Sequence, residues 1–210
     1  TIGDEGRIDF TNSTVIGTGA SGSGDSKDIA IGQNANVTDS GFRNHGAVAI
    51  GLRAEADGVR YNNPGVAVGE DAGASDEDST ALGAGATAGK RGTAIGAGSN
   101  APSRDIAIGR NADANDGIAI GNGVTSNGWS VTIGGSHNDD YSVAVGDDSF
   151  AGGSAAALGQ KANASQWGVA VGGSANAGYP SGVAVGRQAD AGDRGIAIGK
   201  EASSGSAGIA

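Results

Sequence analysis

The chain has 210 residues, of which 42 are Gly, two Trp, three Tyr and three Phe, with neither Met nor Cys, so a conventional core, a zinc finger, a disulfide framework and thiol catalysis are all excluded. Only three prolines are present and the glycines keep no triplet period, which excludes collagen. A net charge of −10 without a basic window makes nucleic acid an unexpected partner, and no apolar run approaches the ~20 residues of a membrane helix.

In chain order, residues 1–28 hold only weak copies of a motif, Ile2-Gly3 and Val15-Ile16-Gly17, and read as an irregular lead-in or as first rungs. From residue 29 to 210 an apolar triplet closed by Gly recurs: Ile29-Ala-Ile-Gly32, Val48-Ala-Ile50-Gly51, Val66-Ala-Val68-Gly69, Thr80-Ala-Leu-Gly83 and Thr93-Ala-Ile95-Gly96. It continues through Ile108-Gly109, Ile120-Gly121, Ile133-Gly134, Val145-Gly146, Leu158-Gly159, Val171-Gly172, Val185-Gly186 and Ile198-Gly199. From Gly69 to Gly199 these glycines stand 12 to 14 residues apart. Three residues after each comes Ala-x-Ala or a near copy, as in Ala86-Thr-Ala88 and Ala175-Asn-Ala177, and Gly, Asn, Asp, Ser and the prolines fill the turns between. Two periods are longer, with insertions at 37–47 and 57–65.

Each period thus predicts two short strands and two turns, and no 3.6-residue apolar spacing survives long enough for a helix. A constant period with two strands per turn of chain describes an all-β solenoid, a parallel β-roll of about 13–14 residues per rung in which equivalent strands pair. Val and Ile are expected to point into the roll against the Ala pair; the alternative turns them toward a neighbouring chain, and the sequence leaves both open. The middle residue of the first strand (Ala67, Ala94, Ala107, Ala119, Ala144, Ala170, Ala184, Ala197) faces the other way. Small residues there predict a sheet covered on both faces, the second cover coming from another chain.

Ile106-Ala-Ile-Gly-Arg-Asn-Ala-Asp-Ala114 and Val169-Ala-Val-Gly-Gly-Ser-Ala-Asn-Ala177 resemble the head repeat of trimeric autotransporter adhesins of the YadA type. The resemblance implies a left-handed parallel β-roll, three standing side by side as a homotrimer. It also implies display on the surface of a Gram-negative bacterium, with attachment to host extracellular matrix, host cells or other surfaces, autoaggregation and a place in virulence. The family's neck, heptad stalk and outer-membrane anchor have no counterpart here, so the chain is expected to be a piece of a longer exported protein. Two other readings are a purely structural or ice-binding solenoid, and a left-handed β-helix acyltransferase. The acyltransferase needs three hexapeptide faces, about 18 residues per turn, against the 12 to 14 found.

No catalytic residue, cofactor or metal is expected. His45 and His137 read as solvated turn residues, as do the acidic turns Asp76-Glu77-Asp78, Asp139-Asp140 and Asp147-Asp148. The Gly-rich turns lack the Gly-Lys-Ser/Thr and following helix of a phosphate cradle. The candidates for ligand contact are aromatic. Trp129, Tyr141 and Trp167 each stand five residues before a repeat Gly, and stacking would align them on one edge, with Ser154 on the skipped rung. Phe42, Arg43, Arg60 and Tyr61 lie in the two insertions, where loops on a rigid scaffold carry binding or lock neighbouring chains together.

Overall fold

The computed structural model describes every residue except 1–2, 5, 9–12, 23–26, 39–45, 58–63 and 136. It contains two compact units, Thr1–Ala112 and Asp113–Ala210. Every described strand pairs in parallel with its equivalent, and the described residues include no helix.

In the first unit one sheet runs through Thr14–Ile16, Ile29–Ile31, Val48–Ile50, Val66–Val68, Thr80–Leu82, Thr93–Ile95 and Ile106–Ile108. The other runs through Arg7–Ile8, Ser21–Gly22, Asn36–Thr38, Glu55–Asp57, Gly73–Ala74, Thr87–Lys90 and Asn100–Ser103. The described parts of residues 1–28 therefore supply strands in the same register as those that follow, Thr14 facing Ile29 and Ser21 facing Asn36. In the second unit the first sheet takes Ile118–Ile120, Val131–Ile133, Val143–Val145, Ala156–Leu158, Val169–Val171, Val183–Val185 and Ile196–Ile198. Opposite it, Asp113–Asn115 pairs with Thr125–Asn127. A further sheet there takes His137–Asn138, Phe150–Ala151, Asn163–Ala164, Asn176–Ala177, Asp190–Ala191 and Ser203–Ser204. Both units are β-solenoids with two strands per rung, which separates them from a three-faced acyltransferase helix.

Register is strict because the pattern repeats. Val66, Ala67 and Val68 sit beside Thr80, Ala81 and Leu82, so like stacks on like along the sheet. The expected inward orientation of Val and Ile is corrected. The interior belongs to alanine: Ala67, Ala81, Ala94 and Ala107 of the first strands and Ala72, Ala74, Ala86 and Ala88 of the second are buried, none more than 1% exposed. The branched residues face outward, and Ile95 and Leu158 keep 36% and 38% of their surface in the open. The reason is width. Each rung closes through two tight turns, so its sheets stand close together and methyl groups fill most of the gap, with a branched residue admitted at Val15, Val37 and Val124.

The repeat Gly answers two demands at once. Gly69 and Gly172 have φ of 141° and 132°, a region that residues with a Cβ rarely enter. A Cβ on Gly69 would lie 2.5 Å from the carbonyl carbon and oxygen of Gly83, and one on Gly172 the same distance from the oxygen of Gly186. Glycine therefore stacks directly on glycine, and the period of the sequence is the period of that column.

Besides the rungs of Val15, Val37 and Val124, one rung carries a polar pair inside. Thr132 replaces the central Ala and donates from its hydroxyl to Asn138, which is buried in the second sheet and donates in turn to the Val131 carbonyl at 2.9 Å. A pair of polar side chains is tolerated in the interior because each satisfies the other.

Candidate functional site

The turn from the second strand back to the first positions the candidate side chains. It spans four residues, the fourth amide donating to the first carbonyl: Gly168 to Ser165 and Gly92 to Gly89, both at 2.8 Å. The third residue is left-handed, with φ of 57° at Arg91, 56° at Trp129, 59° at Tyr141 and 58° at Trp167. That geometry throws its side chain off the rung into solvent. Successive turns are stitched together: the Tyr141 amide donates to Gly128, Ser154 to Asp140 and Trp167 to Gly153, at 2.8, 3.1 and 3.1 Å. Equivalent side chains therefore form a column along one edge.

In the second unit this column reads Trp129, Tyr141, Ser154, Trp167, and the three rings are 71%, 67% and 59% exposed. These three residues are brought together as aligned neighbours. Phe42, Arg43, Arg60, Tyr61 and His45 lie outside the described residues, and His137 stands in the strand His137–Asn138. Two aromatic side chains escaped the sequence reading. Tyr179 opens its turn and is 58% exposed, and Phe150 is 40% exposed on the second sheet. Tyr179 was legible in the Tyr-Pro that begins a 14-residue period; Phe150 took a place where Asn or Asp usually stands, and a residue-by-residue alignment of rungs would have exposed it.

A recess opens beside the column, on the three turns that carry Tyr141, Ser154 and Trp167. It is lined by Asp139, Asp140, Phe150, Ser165, Gln166 and the pair Gly152-Gly153. The pair keeps it open in two ways. A Cβ on Gly152 would come within 3.0 Å of the Gln166 amide nitrogen, whereas one on Gly153 would meet nothing nearer than 3.9 Å and its side chain would occupy the space.

The first unit has the same turn but different chemistry. Its left-handed column reads Asp78, Arg91, Arg104, and Arg91 donates its amide to the Glu77 carbonyl at 2.7 Å. The expectation of a solvated acidic turn is corrected at Glu77, which is only 6% exposed. Lys90 Nζ lies 2.8 Å and Arg91 Nη2 3.3 Å from its Oε1. The Lys90 hydrogen bond, aided by the charges of Lys90, Arg91 and Arg104, holds the carboxyl below the usual glutamate range against its own desolvation. On the opposite turn Arg53 clasps Asp71 through Nε and Nη2 at 2.5 and 2.6 Å and likewise keeps that carboxyl low. Among the described residues no three His, Cys, Asp or Glu side chains are grouped to hold a metal ion, and no helix is long and apolar enough to cross a membrane.

The family model of the YadA head domain repeat matches residues 65–86, in two copies. Residues 65–86 match the YadA-type head repeat. The matched YadA stretch contains the strand Val66–Val68, the left-handed Gly69, the alanines Ala72 and Ala74, the turn with buried Glu77, and the next strand with its Gly83. The YadA pattern of Gly, buried Ala and outward Val or Ile recurs rung by rung in both units, through Gly96 and Gly109 in one and Gly146, Gly172 and Gly186 in the other. YadA heads belong to trimeric autotransporter adhesins, a non-enzymatic family. No curated protein matches the chain in sequence.

Proposed function

We propose that this chain is the head of a homotrimeric bacterial surface adhesin that binds without catalysis. Its targets are host extracellular matrix, host cells or other surfaces, including copies of itself. One observation supports the reading above the others. The roll fills its interior with alanine and turns a ladder of Val, Ile and Leu outward. An outward apolar ladder is what a sheet shows when a second copy covers it. Three copies turning these ladders inward would bury what each exposes alone and would multiply weak contacts along the assembly. Surface display in a Gram-negative bacterium is the location the family likeness supports. The second-turn edge, with Trp129, Tyr141 and Trp167, is the part proposed to meet ligand, because exposed aromatic residues anchor interfaces.

Sedimentation tests the assembly: a particle three times the 20.0 kDa chain is expected, and a well-folded monomer would overturn the reading. Ile95→Asp with Ile120→Asp should dissociate it. Attachment is then measured on plates coated with matrix proteins and on cultured cells. A trimer that adheres to none of these and does not self-associate would remove the adhesin function.

A further inference from the structure

We propose that the recess beside Tyr141, Ser154 and Trp167 is a sugar-binding subsite for a neutral β-1,4-linked glycan chain lying along the second-turn edge. The proposal rests on the adhesin reading and names a ligand class for it. Three features of the edge converge. The first is periodicity. Tyr141 and Trp167 stand two rungs apart, about 10 Å at the ~4.8 Å spacing of paired strands, with Ser154 between them. In an extended β-1,4 chain each ring advances by close to one such spacing and is flipped relative to its neighbour. Every second sugar therefore offers the same face. An aromatic, gap, aromatic column matches that alternation, the flat C–H faces of two sugars lying on Tyr141 and Trp167.

The second feature is what fills the gap. The middle sugar lies over the rung where the column skips an aromatic, and the turns on either side bring polar groups to it. Asp139 and Asp140 supply carboxylate oxygens that accept from hydroxyls, and Gln166 supplies an amide that both donates and accepts. Phe150 adds an apolar wall, 40% exposed. Apolar surface with a few placed polar groups is the usual make-up of a small-molecule site. The third feature is space. Gly152-Gly153 leaves the recess clear, and Gly153 does so with nothing within 3.9 Å of its missing Cβ and an ordinary backbone φ, so no backbone demand explains it. The negative charge of the chain, −10 overall, with two carboxylates in the recess, selects against sulfated or uronic-acid chains.

The test uses the full chain in its assembled state, with hexamers of β-1,4-glucose and β-1,4-N-acetylglucosamine as probes. The α-linked glucose hexamer and a heparin fragment are controls. Both tryptophans of the chain, Trp129 and Trp167, lie on the edge, so intrinsic fluorescence reports it directly. In the free protein acrylamide should quench both, and a β-linked hexamer should protect them. Trp167→Ala and Gly153→Leu should each weaken binding at least tenfold, and Trp129→Ala should weaken it less, since that ring stands a rung beyond the three turns that form the recess. Gly153→Leu removes no contact and strains no backbone, so its circular dichroism and sedimentation should be unchanged. Quenching already absent in the free protein, no binding of either β-linked hexamer at millimolar concentration, equal binding of the α-linked hexamer, or full binding by Gly153→Leu would each overturn the subsite. A trimer that adheres to surfaces yet ignores both hexamers overturns this proposal alone; a folded monomer overturns the adhesin reading beneath it.

Discussion

The second-turn edge of Thr1–Ala112 and that of Asp113–Ala210 share one backbone and differ in almost every side chain. Arg91 and Trp167 have φ within a degree of each other, at equivalent places in turns closed by the same 2.8 Å hydrogen bond. One edge is knitted by charge, with Glu77 held between Lys90 and Arg91; the other exposes three rings beside a recess. The difference teaches that the scaffold is set by positions that never vary much: the stacked Gly, the interior Ala and the left-handed turn. The third turn residue touches none of these, so it is free to carry whatever the surface needs.

Substitutions can break that division of labour if it is wrong. The largest effects are expected where both units depend on the same column. Gly69→Ala and Gly172→Ala should each lose roughly 2–4 kcal/mol, combining left-handed strain with collision against the next rung. Denaturant unfolding should give losses of similar size, and a site that tolerates alanine would show that the glycine column is not what sets the rung. Next come Ala94→Leu and Ala170→Leu, each overfilling an interior built for methyl groups at a cost of about 1–3 kcal/mol. Thermal unfolding measures it, and no change would mean the roll can widen.

Acid sharpens the contrast between the edges. The Glu77 carboxyl titrates lower in the folded chain than in the unfolded one. Its contribution is therefore complete above the unfolded value of about 4.3 and is lost as pH falls through the lower folded one. Glu77→Gln should be less stable than the parent at neutral pH, and the gap should narrow as pH falls below about 4.3. A gap that stays constant would show that Glu77 acts through packing instead of charge. The smallest effect on stability is expected from carrying the basic residue onto the aromatic edge. Trp167→Arg should stay within about 0.5 kcal/mol of the parent, while attachment falls.

Much of this could be read along the chain. Val-Ala-Ile-Gly at near-constant spacing announces stacking, because parallel strands of a solenoid repeat their sequence at the length of one turn. The alignment of Trp129, Tyr141 and Trp167 follows from counting back from Gly134, Gly146 and Gly172. Other features were not legible. Asp76-Glu77-Asp78 looks like any acidic turn, and the burial of Glu77 depends on Lys90 and Arg91 from the rung above. The recess needs Asp139, Gly153 and Gln166 from three successive turns, whose adjacency exists only once the rungs are stacked in register.

The order of small and branched residues by itself determined the period, the parallel pairing and the two strands per rung, since only a stack satisfies a repeat of that length without helix or large core. Which face looks inward was decided by the closed roll. Val-Ala-Ile offers two opposite apolar faces, and alternation alone does not rank them. Two tight turns do: they hold the sheets so close that the space between is filled mostly by alanine, and most of the larger side chains are left on the outside.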